Sequence, residues 1–251
     1  MIKVKGKITF IQILLIFVVI ICGINIYDKI SDNKKSEKHF ENISIQTSSP
    51  SDAVANDDST QRLRKCNELY QINSDTAGWV KIYGTNIDYP VMHSSQSNAY
   101  YLHRNFDKEE SDAGIPFLDY QCDPQFADDN TIIYAHNMKN GTMFHDLLNY
   151  KDKSFYDEHK EVEYDTLYET GVYEIYAVLR TSVGSADEFK YYEFINANTK
   201  EEFDAFVSEC INRSMYDTGI VPQYGDKLLT LSTCSYNTNN ERFVVFARKK
   251  V

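Results

Sequence analysis

Lys227-Leu228-Leu229-Thr230-Leu231-Ser232-Thr233-Cys234 and, after a polar loop, Arg242-Phe243-Val244-Val245-Phe246-Ala247 form the stretch on which the fold turns. Both halves are rich in β-branched and aromatic residues, and the turn formers Asn237, Asn239 and Asn240 lie between them, so the pattern predicts two strands joined by a loop. Cys234 then stands where a strand ends, held by the sheet yet facing a cleft. Arg242 opens the returning strand at the same rim. A cationic neighbour favours thiolate over thiol and can hold a developing oxyanion, which makes the pair a nucleophile with an electrostatic helper. Against this stands the ordinary fate of an unpaired cysteine, which is inert burial in a core.

A nucleophilic cysteine also needs a base, and Thr131-Ile132-Ile133-Tyr134-Ala135-His136-Asn137-Met138 puts a histidine at the end of another apolar strand pattern. Thr-Leu-Ser-Thr-Cys with a downstream Arg, preceded by Tyr-Ala-His-Asn-Met, resembles the sortases, the class B sortases in particular. Ile72-Asn73-x-Asp75 through Trp79, followed by Ile87-Asp88-Tyr89-Pro90-Val91, is similar to the opening of class B domains and does not depend on the cysteine. The resemblance runs from about Ser59 to Lys249. It implies a mainly β (α+β) fold: a closed, mostly antiparallel barrel of about eight strands, with helices at the amino end and an extra helix before the cysteine-bearing strand.

The 251 residues suit one domain with appendages. Ile8 to Tyr27 is a nearly unbroken apolar run, and about 20 helical residues span a bilayer's hydrocarbon layer. Lys3, Lys5 and Lys7 precede it with no acid among them, which predicts a cytoplasmic tail over 1–7 and export of everything after the anchor. A cleaved signal peptide is the alternative. The run is long for one, and Cys22-Gly23-Ile24-Asn25 is a poor cleavage site, so a retained single-pass anchor over 8–27 is expected, with the rest outside the cell membrane. Residues 28–58 are polar and low in aromatics, as a stalk would be, and 59–251 form the expected catalytic domain. The formal net charge is −11, and setting aside the three lysines leaves −14 for residues 28–251. An acidic exported domain argues against nucleic acid as a partner.

Leu63, Cys66, Leu69 and Tyr70 recur with helical period between Ser59 and Ile72, and Asn73-Ser74-Asp75 breaks the pattern. Strands are expected over 79–83, 87–92, 114–120, 131–136, 161–164 and 171–179, short helices near 97–106 and 142–148. Thr199-Lys200-Glu201-Glu202 has the form of a capping box, and Phe203, Phe206, Val207, Cys210 and Ile211 then mark an amphipathic helix. That helix resembles the one class B members carry in the connection before the cysteine strand.

No His-Glu-x-x-His or Cys-x-x-Cys occurs, so spacing supports no metal site, and no cofactor is expected. Outside the anchor stand Cys66, Cys122, Cys210 and Cys234, an even number that would permit two disulfides. Cys66 and Cys210 lie on apolar helical faces, and pairing Cys234 would remove the nucleophile, so free thiols are expected, with Cys122 unexplained.

The resemblance implies a membrane-anchored cysteine transpeptidase. Its substrates are surface proteins with a Thr-containing carboxyl-terminal sorting signal, and its acceptor is an amine of a peptidoglycan precursor or a pilin. Cys234 is the expected nucleophile, His136 the acid and base, and Arg242 the oxyanion partner. Asn98, Leu102 and Ser232 are carried over as candidate contacts for the signal. For Asn98 a helix cap, and for Leu102 core packing, are equally consistent with the sequence. Asp119 is a candidate to orient His136. Two other functions stay open: a wall-directed cysteine hydrolase that uses the same three residues with water as acceptor, and an anchored surface domain without activity that only binds wall polymer or a partner.

Overall fold

The computed structural model describes residues 12–21, 58–125, 128–184, 188–234 and 240–250. The chain divides into two units, Met1–Ser51 and Asp52–Val251. In the first, residues 12–21 form a helix, α1. No helix among the described residues is long and apolar enough to cross a membrane. The rest of the expected anchor and nearly all of the expected stalk lie outside the described residues.

In the second unit eight strands close into a barrel: β1 (Thr76–Lys81), β2 (Asp88–Met92), β3 (Phe117–Leu118), β4 (Asn130–Tyr134), β5 (Glu161–Thr166), β6 (Val172–Ser182), β7 (Leu228–Cys234) and β8 (Glu241–Lys249). Around the barrel the order is β1-β2-β3-β4-β7-β8-β6-β5, with β5 pairing back onto β1. The β2–β3 and β4–β7 pairs are parallel and the other neighbours antiparallel. A mainly β barrel with flanking helices is the expected architecture, and closure leaves no unpaired sheet edge.

Helix α2 (Asp58–Ile72) buries Cys66 and Leu69, the face the periodicity marks. Arg62 ties it to β5: its guanidinium meets both Asp165 oxygens, at 2.7 and 2.5 Å, and Glu163 at 2.9 Å. A two-point Arg–carboxylate pair fixes orientation as well as proximity. The chain then breaks at Asn73, whose buried amide donates to the Phe106 carbonyl at 2.6 Å and whose Oδ1 accepts from Asp75 N.

Three segments differ from the sequence expectation. The strand expected over 114–120 shrinks to Phe117–Leu118. Ile115 is drawn away to donate to the Tyr101 carbonyl, Pro116 has no N–H to offer, and the Asp119 carboxylate caps Gln121 N and turns the chain. The helix expected over 97–106 is one turn, α3 (Ala99–Leu102). The helix expected near 142–148 is a 3-10 helix over His145–Lys151, because Gly141 and Met143 both adopt positive φ just before it. A further short helix, α4 (Lys153–Glu158), leads into β5.

Helix α5 (Lys200–Arg213) lies between β6 and β7. Thr199 Oγ1 accepts from Glu202 N at 3.2 Å, while the Glu202 carboxylate accepts from Asn198 N at 2.8 Å, one residue earlier than in the standard capping box. Phe203, Phe206, Val207 and Cys210 are buried against Tyr176, Leu179, Val244 and Phe246 of the barrel. Phe194 stacks on Phe206 with ring centroids 3.9 Å apart. Each such side chain contributes roughly 1.5–3 kcal/mol on leaving water, so the apolar face of α5 holds the β6–β7 connection over the outside of the sheet.

Candidate active site

The β4–β7 ladder pairs Tyr134 with Ser232, and Ala135 N continues it by donating to the Ser232 carbonyl at 3.2 Å. His136 is two residues beyond Tyr134, and Cys234 is two residues beyond Ser232. On the other flank of β7, Cys234 and Arg242 are direct Cα partners in the antiparallel β7–β8 pair. Directly opposed residues of such a pair have Cα atoms roughly 4.5–5.5 Å apart. The backbone positions of His136, Cys234 and Arg242 therefore stand side by side at the same end of three neighbouring strands. Of Cys234 the backbone alone is described, and the loop 235–239 lies outside the described residues.

His136 Nε2 lies 2.9 Å from the Leu102 carbonyl oxygen. A carbonyl only accepts, so Nε2 carries the hydrogen, and in the neutral ring the lone pair falls to Nδ1. The acceptor comes from the last residue of α3, and Gly114 sets where it stands. A Cβ built on Gly114 would come within 2.4 Å of Leu102 O and 2.7 Å of Tyr101 O, and the residue has φ +57°. Only glycine fits such an approach without strain. Gly114→Ala is accordingly expected to push the α3 carbonyls away from His136 and lower kcat at least about tenfold, since small misplacements of an acid–base group are costly. Far-UV circular dichroism should stay native. A variant with wild-type turnover would remove Leu102 O as the group that orients the ring.

Burial holds the His136 imidazole below its ordinary value near 6.5; the Leu102 hydrogen bond opposes this, the neighbouring His103 adds to it, and Asp112 opposes it. The two rings are 5.6 Å apart between centroids, tilted by 41°. A depressed value means that the neutral ring predominates at pH 7. By NMR titration the His136 midpoint should fall below 6.5. His103→Asn removes a like charge, so it should move that midpoint upward. A shift downward would contradict the electrostatic coupling.

Asp119, the sequence candidate for orienting His136, is 2% exposed and engaged elsewhere. Its Oδ2 accepts from Tyr134 OH and from Asn98 Nδ2, each at 3.0 Å, and its Oδ1 from Gln121 N at 2.9 Å. Asn98 precedes α3 but makes no side-chain cap; its Oδ1 accepts from Tyr120 N at 2.7 Å, so the amide links the α3 segment to the end of β3. Leu102 is half-buried. Ser232 is 1% exposed, and its Oγ is 2.7 Å from Tyr191 OH, which places it under the β6–β7 connection. Leu102 O, Gly114, His103 and Tyr191 were not singled out from the sequence. A backbone acceptor leaves no mark in a sequence, and Gly114 stands in the sequence reading only as the first residue of an expected strand.

The remaining described cysteines are buried and free. Cys122 Sγ sits 3.8 Å from the Asn130 carbonyl and accepts from Ile132 N at 3.5 Å, and burial pushes its thiol up to about 12. Burial does the same for Cys66, to about 12, and raises Cys210. Thiols so shifted stay protonated and are poor nucleophiles. Cys122 thus has a structural place as a packed, hydrogen-bonded thiol. Among the described residues no group of three or more metal-binding side chains gathers.

Residues 80–250 match the family described as Sortase domain. Sortase B of Listeria monocytogenes is 37% identical over 175 residues, 70% of this chain and 69% of that protein. A solved Staphylococcus aureus sortase B–substrate complex superposes with TM-score 0.70 at 25% identity, covering 89% of this chain and 96% of that one. A mutant form of Clostridium perfringens sortase B gives TM-score 0.69 at 32% identity, covering 76% of this chain and 89% of that one.

Proposed function

Because the chain belongs to the sortase family, as a class B sortase-type cysteine transpeptidase, we propose that it cleaves a carboxyl-terminal sorting signal after Thr. It then joins the new carboxyl end to an amine of the cell wall through a thioester on Cys234. The observation that carries this reading is the strand register, which sets the backbones of His136, Cys234 and Arg242 next to one another at one end of β4, β7 and β8.

In the proposed cycle the Cys234 sulfur attacks the Thr carbonyl carbon, and the neutral His136 ring takes the thiol proton on Nδ1. The carbonyl electron pair becomes an oxyanion facing the Arg242 guanidinium. Collapse of the tetrahedral species breaks the C–N bond as His136 returns its proton to the leaving amine. The thioester keeps the bond energy of the cleaved amide, so no ATP is needed. The acceptor amine attacks the thioester, His136 takes a proton from it and passes this to the departing thiolate. A ring whose resting form is neutral suits each of these transfers.

Asn98 and Leu102, on the segment that orients His136, and Ser232, on the cysteine strand, are the proposed signal contacts. The three amino-terminal lysines and the apolar run after them support a single-pass anchor over residues 8–27 with the catalytic domain outside the cell. The test is to incubate the full chain with a Thr-containing signal peptide and triglycine, and to follow products by mass spectrometry. The expected product carries triglycine on the Thr carboxyl, with its yield rising with triglycine. Cleavage indifferent to triglycine, with no adduct, makes the protein a hydrolase instead.

A further inference from the structure

The α3 turn has a second neighbour. Leu102, at its end, contacts His136 through its carbonyl, whereas Tyr100, two residues earlier, lines a cavity of about 460 Å³. That volume is within the range of roughly 300–1,000 Å³ usual for small-molecule sites. The cavity is bounded by the end of α2, the start of β1 and the segment that follows β2. We propose that it is a binding site for a neutral saccharide, distinct from the transpeptidase centre.

The lining decides the class of ligand. Its carboxylate and ammonium cancel: Lys108 Nζ lies 2.9 Å from Asp75 Oδ2, which also accepts from Tyr101 OH at 2.6 Å. A strongly charged occupant would have to disrupt that cluster, since neither charge is left uncompensated. A purely aliphatic occupant is also disfavoured, because Pro124 and Leu167 are the only aliphatic side chains among the fourteen lining residues, whereas Ser74, Ser94, Ser95, Thr76, Gln96 and Gln125 offer hydroxyls and amides. The Ser74 and Ser95 hydroxyls make no hydrogen bond to another described residue, so they can exchange water for an occupant's hydroxyls.

Three tyrosine rings also stand in the wall, Tyr70, Tyr100 and Tyr168, with Tyr70 39% and Tyr168 61% exposed. The Tyr70 and Tyr168 rings present an apolar face beside a hydroxyl, while the Arg104 guanidinium lies over the Tyr100 ring, 4.5 Å from its centroid. A sugar ring, with a C–H face and a periphery of hydroxyls, matches both features together. His93 forms part of the wall, with its Nε2 shielded from solvent and unpaired among the described residues. A modest turn of the ring toward an occupant gives that nitrogen its first hydrogen bond.

The test is saturation-transfer NMR on the full chain with N,N′,N″-triacetylchitotriose and with maltotriose as probes, inorganic phosphate serving as the charged control. At least one saccharide is expected to bind. Ser95→Trp, which fills the cavity from its exposed rim, and Tyr168→Ala, which removes a ring, should each weaken it at least tenfold with transfer to triglycine unchanged. Binding by Cys234→Ala should match wild type, so the result stands whether or not the transpeptidase reading does. No transfer to either saccharide, equal affinity in both rim variants, or uptake of phosphate in place of sugar would each overturn the proposal.

Discussion

Cys234→Ala is expected to lower peptide transfer by at least about 10⁴-fold and to abolish the mass shift of the acyl-enzyme, with the melting temperature unchanged. The magnitude follows from what the side chain is asked to do. In the proposed cycle it forms the covalent bond that divides one difficult displacement into two, and removing the nucleophile of such a coupled set leaves only what binding and the proposed oxyanion partner supply. Placement at the last residue of β7 makes the substitution informative, because the strand's ladder is made by backbone groups that alanine retains. If transfer survived within tenfold of wild type, one of the buried thiols would have to serve instead. Their pairing with Asn130 O and Asp165 O in the interior speaks against that.

Arg242→Ala should cost about 10²–10³ in kcat, the usual loss on removing one donor from a developing oxyanion. The reason to expect a kcat effect rather than a binding effect is position: Arg242 is the Cα partner of Cys234 itself, between β7 and β6, where it is also paired with Thr181. Arg242→Lys should recover only part of the loss, since an ammonium keeps the charge but not the planar fork of donors. A signal-peptide KM that rose while kcat held would instead make Arg242 a substrate-binding residue. Single-turnover measurement of acylation separates the two outcomes.

The paired strands around Cys234 and Arg242 were readable because a run of β-branched and aromatic residues bounded by asparagines has few other solutions. Helix α5 was readable for a similar reason: a Thr with Glu three residues on, then five apolar positions at helical spacing. The short β3 was not, because its length depends on Ile115 and Asp119 being diverted to partners distant in the chain. The 3-10 helix after Gly141 was missed because the positive φ of Met143, which interrupts a helix-like pattern, comes with a long-range bond from its N–H to Tyr89 OH.

Local pattern and motif order in the amino-acid chain determined the β-barrel class, the helix before the cysteine strand and the three side chains offered for the chemistry. Periodicity and side-chain type express themselves within a few residues, whatever the chain does elsewhere. Tertiary structure alone decided that Leu102 O, held close by a bare Gly114, is what His136 meets, and that Asp119 is spent on Tyr134 and Asn98. It alone decided that a cavity lined in part by tyrosines shares α3 with the proposed reactive centre. Backbone acceptors, close approaches and cavities are properties of segments that meet in space, and no stretch of sequence encodes them singly.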